Sequence, residues 1–208
     1  GAGKTTFADC HFVLYPWLYH IYGPVYLNKG RPAKIKWFYY SLEISKIMKQ
    51  VSWISVMFNI IKKRHIETRT LARFDESEKM SSEEVKFAQE VWPFVEDLFR
   101  HMTFVDKEVT YAMMKDEIET WYEENDKFVN GKYVPNDPDV YVIVLVDSLN
   151  LVEPRKGENL KDTMDNTSKM LRTIRNKYGT AVCAIQQFNT NMMNAERNRA
   201  TTGRQTTD

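Results

Sequence analysis

The sequence opens with a glycine-rich segment that runs into lysine and threonine, Gly1-Ala2-Gly3-Lys4-Thr5-Thr6. This order matches the second half of the phosphate-binding pattern GxxxxGK[ST]. Glycines in such a loop let backbone N–H groups turn toward phosphate oxygens, at the positive end of the following helix. Lys4 would then contact the β- and γ-phosphates of a nucleotide, and the Thr5 hydroxyl would bind Mg²⁺. The first glycine of the pattern and the strand before it are expected upstream of residue 1.

A phosphate loop of this kind needs an acidic partner that holds Mg²⁺ from the end of a buried strand. Asp147 directly follows the continuous apolar run Val140–Val146 (VYVIVLV), which is typical of a strand covered on both faces. A carboxylate buried at such a tip is costly without a partner. A lone Asp here could also be a structural cap. Beside the phosphate loop, the pattern favours a metal ligand.

Two more polar positions follow apolar strands. Glu43 comes after the aromatic run Ile35–Ser41, and a carboxylate there would position or deprotonate the water that attacks a γ-phosphate. Its alternative role is an acid in the first turn of the next helix, where negative charge is favoured. Gln186 and Gln187 follow the strand Ala181–Ile185, and spacing alone lets either amide sense the γ-phosphate.

The elements that must position these residues alternate between strands and helices. A further short strand is predicted over Met102–Val105. Helices are predicted over Ser45–Lys63, Ser82–His101, Val109–Asn125 and Leu160–Lys177, with a kink or break at Pro93 and a stop at Gly179. Apolar residues recur at helical spacing in the first of these helices, at Ile47, Val51, Ile54, Met57 and Ile61. The alternation predicts an α/β fold, a mostly parallel sheet flanked by helices, with ligands at the carboxyl ends of the strands.

Composition places few limits on function. The 208 residues suit one α/β domain with its own core, and 43% hydrophobic and 27% charged residues are ordinary for a globular protein. The net charge of +1 neither indicates nor excludes a nucleic-acid partner. Charged residues interrupt every apolar run of membrane-spanning length, so no membrane association is expected. Cys10 and Cys183 lack metal-ligand spacing, which favours a reduced cytosolic protein.

Four segments in this order resemble the RecA-like ATPases, and most closely the DnaB-type replicative helicases. GAGKTTF (residues 1–7) resembles the phosphate loop of that family. YSLEIS (40–45) is similar to its FSLEMS segment, whose glutamate is the catalytic base, and VDSLNLV (146–152) to its metal-binding IDYLQLI segment. AIQQFN (184–189) is similar to ALSQLNR, which aligns Gln187 rather than Gln186 with the sensor.

The resemblance implies an enzyme that couples hydrolysis of ATP, with Mg²⁺ as cofactor, to translocation on single-stranded DNA. Lys4 and Thr5 would bind nucleotide and metal, Asp147 would hold the metal, Glu43 would activate water, and Gln187 would report the γ-phosphate. It also implies a RecA-like P-loop core over residues 1–208, a hexameric ring of identical chains, a primase and a loader as further partners, and the cytoplasm of a bacterium or phage-infected cell. The arginine finger is expected beyond residue 208, so the chain alone is expected to turn over ATP poorly.

The sequence departs from the family at several places. Thr190 stands where the family has arginine, the connection from Thr6 to Glu43 is long and aromatic, and residues 64–136 are expanded. These departures predict a helical insertion over 64–136 and favour a phage or other divergent homologue. A recombinase, another RecA-like ATPase without unwinding activity, and a nucleotide-dependent switch or packaging subunit are the alternative functions.

The resemblance implies that the polar tail Asn189–Asp208 occupies the central-channel loop region of a RecA-like ring. Arg197, Arg199 and Arg204 suit contacts with the phosphates of a single DNA strand. The alternative is a solvated loop. We therefore take DNA binding by this group of arginines as a hypothesis.

Overall fold

The computed structural model describes residues 3–22, 34–72, 80–130 and 132–187. Six strands lie in these ranges: β1 (Lys34–Ser41), β2 (Met102–Val105), β3 (Asp126–Val129), β4 (Lys132–Pro135), β5 (Val140–Asp147) and β6 (Ala181–Ile185). The helices are α1 (Lys4–Ala8), which continues through a π-helical segment (Asp9–Leu14) into α2 (Tyr15–Tyr22), then α3 (Lys46–Lys62), α4 (Thr68–Leu71), α5 (Ser82–Arg100), α6 (Tyr111–Asn125) and α7 (Leu160–Tyr178). A short 3₁₀ turn covers Leu149–Leu151.

Four strands form one parallel sheet in the order β2-β1-β5-β6. Ser41 at the end of β1 is level with Asp147 at the end of β5, and Asp147 is level with Ile185 at the end of β6. The predicted α/β fold with a parallel sheet is confirmed. Because all four strands point the same way, the residues that follow β1, β5 and β6 emerge at one edge of the sheet.

Helices cover both faces of the sheet, and successive side chains of β1 point to opposite faces. Trp37 and Tyr39 pack in one core with α1, the π-helical segment, α2, α3 and α5. Phe38 and Tyr40 pack in a second core with α6 and α7. All four aromatic side chains are essentially inaccessible to solvent. The result is a three-layer arrangement in which β1 and β5 lie at the centre.

Helix α3 begins after Ser45, as the sequence predicts, but not all of its regularly spaced apolar residues are buried. Ile47 and Ile61 are 64% and 51% exposed. The face that contacts the sheet and α5 centres instead on Trp53, with Lys49 one turn before it, and both are fully buried. An aromatic ring at this position buries more apolar surface than the aliphatic residues near the helix ends.

Helix α5 begins with a capping box between Ser81 and Glu84 and continues through Pro93 without a break. Pro93 lies on the exposed side, while Val91 and Val95 are buried against the core and hold the helix in place.

The range 64–136 contains α4, α5, α6 and the antiparallel hairpin β3–β4. The sequence does not predict this hairpin. The same range also supplies β2, which pairs with β1 in the main sheet. That residues 64–136 form an insertion within a single domain over 1–208 stays a prediction. None of the helices described is long and apolar enough to cross a membrane.

Candidate functional site

The carboxyl ends of β1, β5 and β6 bring two predicted residues into contact. The backbone N–H of Leu42 donates to the carbonyl oxygen of Asp147 at 2.7 Å, which keeps β1 beside β5 up to the turn that carries Glu43. Gln187 emerges from β6 on the other side of β5, and its Nε2 donates to Glu43 Oε2 at 2.6 Å. The predicted water-activating carboxylate and the predicted sensor amide therefore meet across the end of the central strand.

The described part of the phosphate loop lies at the same edge. Gly3 has φ +103°, a left-handed conformation that L side chains rarely adopt, and it precedes α1 directly. The Lys4 ammonium donates to the backbone carbonyl of Gln186 at 3.0 Å, which places it at the end of β6. Thr5 and Thr6 lie in the first turn of α1. Gly1 and Ala2, which the sequence also predicts to bind nucleotide, lie outside the described residues.

Asp147 lies at the tip of β5 with 1% exposure. Neither of its carboxylate oxygens forms a hydrogen bond with a residue that the structure describes. Its nearest charged neighbour is Lys49, whose Nζ is 3.6 Å from Oδ2. Buried carboxylates normally have hydrogen-bond partners, because desolvation is costly without them. These two buried oxygens form no hydrogen bond with a described residue, so they could serve as ligands of a cation at this edge of the sheet.

The donor set suits Mg²⁺. This ion takes oxygen ligands and is commonly held by one or two carboxylates together with substrate phosphates and water. Within the described ranges, no three His, Cys, Asp or Glu side chains come together as a ready-made metal cluster. The buried Asp147 carboxylate therefore suits an ion that is also held by phosphate oxygens and water.

Sequence reasoning did not single out three residues beside Asp147. Asp9 is 3% exposed, and its Oδ1 accepts a hydrogen bond of 2.7 Å from the Tyr39 hydroxyl. Lys49, which is fully buried, donates to both carboxylate oxygens of Asp9 at 3.0 and 3.3 Å. The Lys49 ammonium also lies 4.9 Å from the centre of the Tyr39 ring. The sequence signal that could have revealed this cluster is Lys49, a lysine one turn before Trp53 on the apolar side of α3.

The carboxylates leave the surroundings of the site electronegative. Burial raises the pKa of the Cys183 thiol on β6, and the negative charges of Asp147 and Asp9 raise it further. Burial, followed by the charge of Asp9, raises the pKa of Tyr39 well above its usual value, so its hydroxyl remains a donor. A cation is the charge that such surroundings favour.

A cavity of about 630 Å³ lies away from these residues. It is lined by residues at the beginnings of the strands, including Ile35, Val140 and Ala181, and by aromatic side chains such as Tyr15 and Trp121. It therefore occupies the opposite edge of the sheet from Glu43, Asp147 and Gln187. The predicted site residues therefore do not line this cavity.

The predicted DNA-binding residues Arg197, Arg199 and Arg204 lie outside the described residues. Of the predicted site, the structure describes Gly3, Lys4, Thr5, Thr6, Glu43, Asp147 and Gln187.

Comparison with known proteins supports the fold. No protein-family model and no curated protein matches the sequence. Seven chains of known structure match, among them a DnaB-like replicative helicase whose structure was described with its interactions with primase. The two chains share 15% identity with a TM-score of 0.54, over 76% of this chain and 33% of the helicase. This chain thus spans about a third of the length of that neighbour. It has an α/β fold similar to that of part of a DnaB-like replicative helicase.

Proposed function

We propose that the protein is an ATP-hydrolysing motor that moves along single-stranded DNA as a replicative helicase of the DnaB type. The observation that carries this proposal is the meeting of Lys4, Glu43, Asp147 and Gln187 at one edge of the sheet, through the bonds of Gln187 to Glu43 and of Lys4 to Gln186. These residues come from four separate segments of the chain. Their types are those that phosphoryl transfer to water needs.

Nucleotide binding falls to Gly1–Thr6. Backbone N–H groups of the loop and the start of α1 would surround the phosphates, and Lys4 would exchange the Gln186 carbonyl for phosphate oxygens. Because Lys4 already points to the end of β6, it would hold the β- and γ-phosphates beside Gln187.

Asp147 and Thr5 would hold Mg²⁺. Asp147 contributes a buried carboxylate whose oxygens have no hydrogen bond to a described residue, and Thr5 contributes its hydroxyl. When bound, Mg²⁺ neutralises charge on the β- and γ-phosphate oxygens as the terminal phosphate is transferred.

Glu43 would orient the attacking water and accept its proton. One oxygen of Glu43 accepts a hydrogen bond of 2.6 Å from the Gln187 amide. A γ-phosphate that draws this amide away would release Glu43 to bind water. Gln187 would thereby couple recognition of ATP to activation of the water.

The DNA side rests on residues beyond this edge. Arg197, Arg199 and Arg204 would contact the phosphates of a single strand in the channel of a hexameric ring. A primase and a loader are proposed as further partners and the cytoplasm as the location. The similar helicase structure, described with its interactions with primase, supports this choice over other RecA-like functions.

The experiment is ATP turnover by the full-length protein, with and without single-stranded DNA. Replacing Glu43→Gln should lower turnover by about 100-fold or more, the size expected for loss of a general base, while nucleotide binding persists. Lys4→Ala should weaken binding itself. Glu90→Gln, an exposed site on α5, is the matched control and should behave as wild type. Turnover that Glu43→Gln leaves unchanged would disprove the proposed role of Glu43.

Strand displacement distinguishes a helicase from the alternatives. DNA-stimulated turnover with displacement of an annealed strand supports a helicase. Turnover without displacement, together with filaments in electron micrographs, would favour a recombinase. Nucleotide binding with no DNA stimulation would favour a switch or packaging subunit.

A further inference from the structure

The strongest feature that the proposed mechanism leaves unused is the buried charge cluster of Asp9, Lys49 and Tyr39 beside Asp147. The side chains of Asp9, Lys49 and the adjacent Asp147 are 4% exposed or less. A charged lysine is rarely buried without a specific pairing, because desolvation of the ammonium is costly. The cluster therefore has a purpose that outweighs this cost.

Lys49 is shared unequally between the two carboxylates. It donates to Asp9 at 3.0 and 3.3 Å, whereas Asp147 Oδ2 is 3.6 Å away and accepts no hydrogen bond from it. Asp9 itself is fixed by the Tyr39 hydroxyl at 2.7 Å. Asp9 thus draws the ammonium to its own side and leaves Asp147 in an ion pair with it at 3.6 Å but without a hydrogen bond from it.

Without Asp9, the geometry would change in a defined way. The ammonium would have one buried carboxylate within reach and would form a hydrogen bond with Asp147. Hydrogen bonds between charged groups are the strong ones in a protein interior. An Asp147 engaged in this way would have to release Lys49 before it could bind a metal.

We propose that Asp9 is a positioning residue that holds Lys49 away from Asp147 and so keeps the Asp147 carboxylate available to a divalent cation. The inference rests on the proposed function, because it takes Asp147 as the metal ligand. It adds two residues that act through Asp147 and touch neither nucleotide nor metal.

The position of Asp9 links this effect to the phosphate loop. The backbone N–H of Asp9 donates to the carbonyl oxygens of Thr5 and Thr6, so Asp9 lies one turn after the threonine proposed to bind the same metal. The packing of α1 on the sheet therefore fixes both the position of Thr5 and the position of the Asp9 carboxylate that attracts Lys49.

The test measures metal binding directly, by electron paramagnetic resonance of Mn²⁺ with the full-length protein and a non-hydrolysable ATP analogue. Asp9→Asn keeps an oxygen acceptor for Tyr39 but removes the charge that holds Lys49. We expect it to weaken Mn²⁺ binding by about tenfold or more, the effect of one new hydrogen bond between charged groups. The double variant Asp9→Asn/Lys49→Met removes the competing ammonium as well and should bind Mn²⁺ at least as tightly as wild type.

The double variant separates positioning from simple structural support. If Asp9 and Lys49 merely supported the fold of the site, losing both would harm metal binding more than losing one. Double-variant binding as weak as that of Asp9→Asn, or weaker, would overturn the inference. Because it removes one charge of each sign, the double variant should fold even if the single one does not, and its affinity relative to wild type then decides alone.

Two controls keep this inference distinct from the proposed function. Asp165→Asn, an exposed change on α7, should leave Mn²⁺ binding unchanged. Asp147→Asn should abolish it. If wild type binds no Mn²⁺ with nucleotide, or if Asp147→Asn binds it normally, the proposed metal site is wrong. If both behave as expected and Asp9→Asn binds like wild type, the role given to Asp9 alone is wrong.

Discussion

At the scale of single residues, the electronegative surroundings of Asp147 should be detectable through Cys183. Burial and the charges of Asp147 and Asp9 raise the pKa of this thiol. The thiolate is the reactive form, and a raised pKa leaves less of it at neutral pH. We therefore expect slow alkylation of Cys183 by iodoacetamide at pH 7.5, and faster alkylation as the pH rises past 9. Mass spectrometry of the labelled peptide measures both rates.

The same peptide in urea is the reference for this experiment, because unfolding removes both burial and the fixed charges. Alkylation at pH 7.5 that is as fast in the folded protein as in urea would contradict the prediction. Asp147→Asn removes one of the two charges and should speed the reaction in the folded protein.

The residues of the site differ in how far the sequence could reveal them. Glu43, Asp147 and Gln187 each follow an apolar strand, so a local pattern and the edge rule for parallel sheets predicted that they lie together. The choice of Gln187 over Gln186 came from the family resemblance. Asp9 and Lys49 are forty residues apart and pair only because α1 and α3 pack on the same face of the sheet. No local pattern encodes that distance. The pairing became visible with the tertiary structure.

At the scale of elements, the start of α3 matters because α3 follows Glu43 directly. Ser45 precedes the helix but forms no side-chain cap. The backbone N–H of Lys46 donates instead to Asp106 Oδ2 at 2.7 Å, from the loop after β2. A carboxylate at this end also suits the positive end of the helix dipole.

This arrangement predicts an asymmetry between two substitutions. Asp106→Ala should lower the free energy of unfolding by about 0.5–2 kcal/mol, the usual cost of losing a helix cap. Ser45→Ala should lower it by less than about 0.5 kcal/mol, as for a surface change that breaks no such bond. Urea denaturation followed by circular dichroism measures both. A larger loss for Ser45→Ala than for Asp106→Ala would contradict the assignment.

Strands were predictable where the sequence has a nearly continuous apolar run. The runs that became β1, β5 and β6 are apolar along their length or nearly so, and their ends fell within a residue of the prediction. The hairpin β3–β4 was missed because its strands have four residues each and expose Phe128 and Val134. Such strands lack the apolar alternation that marks a half-buried sheet. Its turn at Asn130, with φ +51°, begins a stretch rich in turn residues, 130–139 (NGKYVPNDPD), which shows no strand pattern.

At the scale of the whole molecule, one sheet separates two cores. β1 contributes Trp37 and Tyr39 to one core and Phe38 and Tyr40 to the other, so any displacement of β1 disturbs both. The site shares this arrangement, because Glu43 follows β1 and Asp147 ends β5. Its precision depends on the two strands that have neighbours on both sides.

Hydrogen exchange should reveal which strands of the sheet are most protected. Amides in β1 and β5 are covered by helices on both faces and by strands on both edges, so their exchange requires opening of the whole sheet. We expect peptides from 34–41 and 140–147 to exchange most slowly, and peptides from 102–105 to exchange faster, because β2 is an edge strand of the described sheet.

The exchange of β6 is the most informative measurement. Lys4 bonds to Gln186 at the end of β6, so a strand leading into the phosphate loop would arrive beside β6 and pair with its other edge. Mass spectrometry of the full-length protein should then find 181–185 protected to the level of 140–147. Exchange of 181–185 as fast as that of 102–105 would mean that no strand pairs there, and the phosphate loop would have to approach the site from another direction.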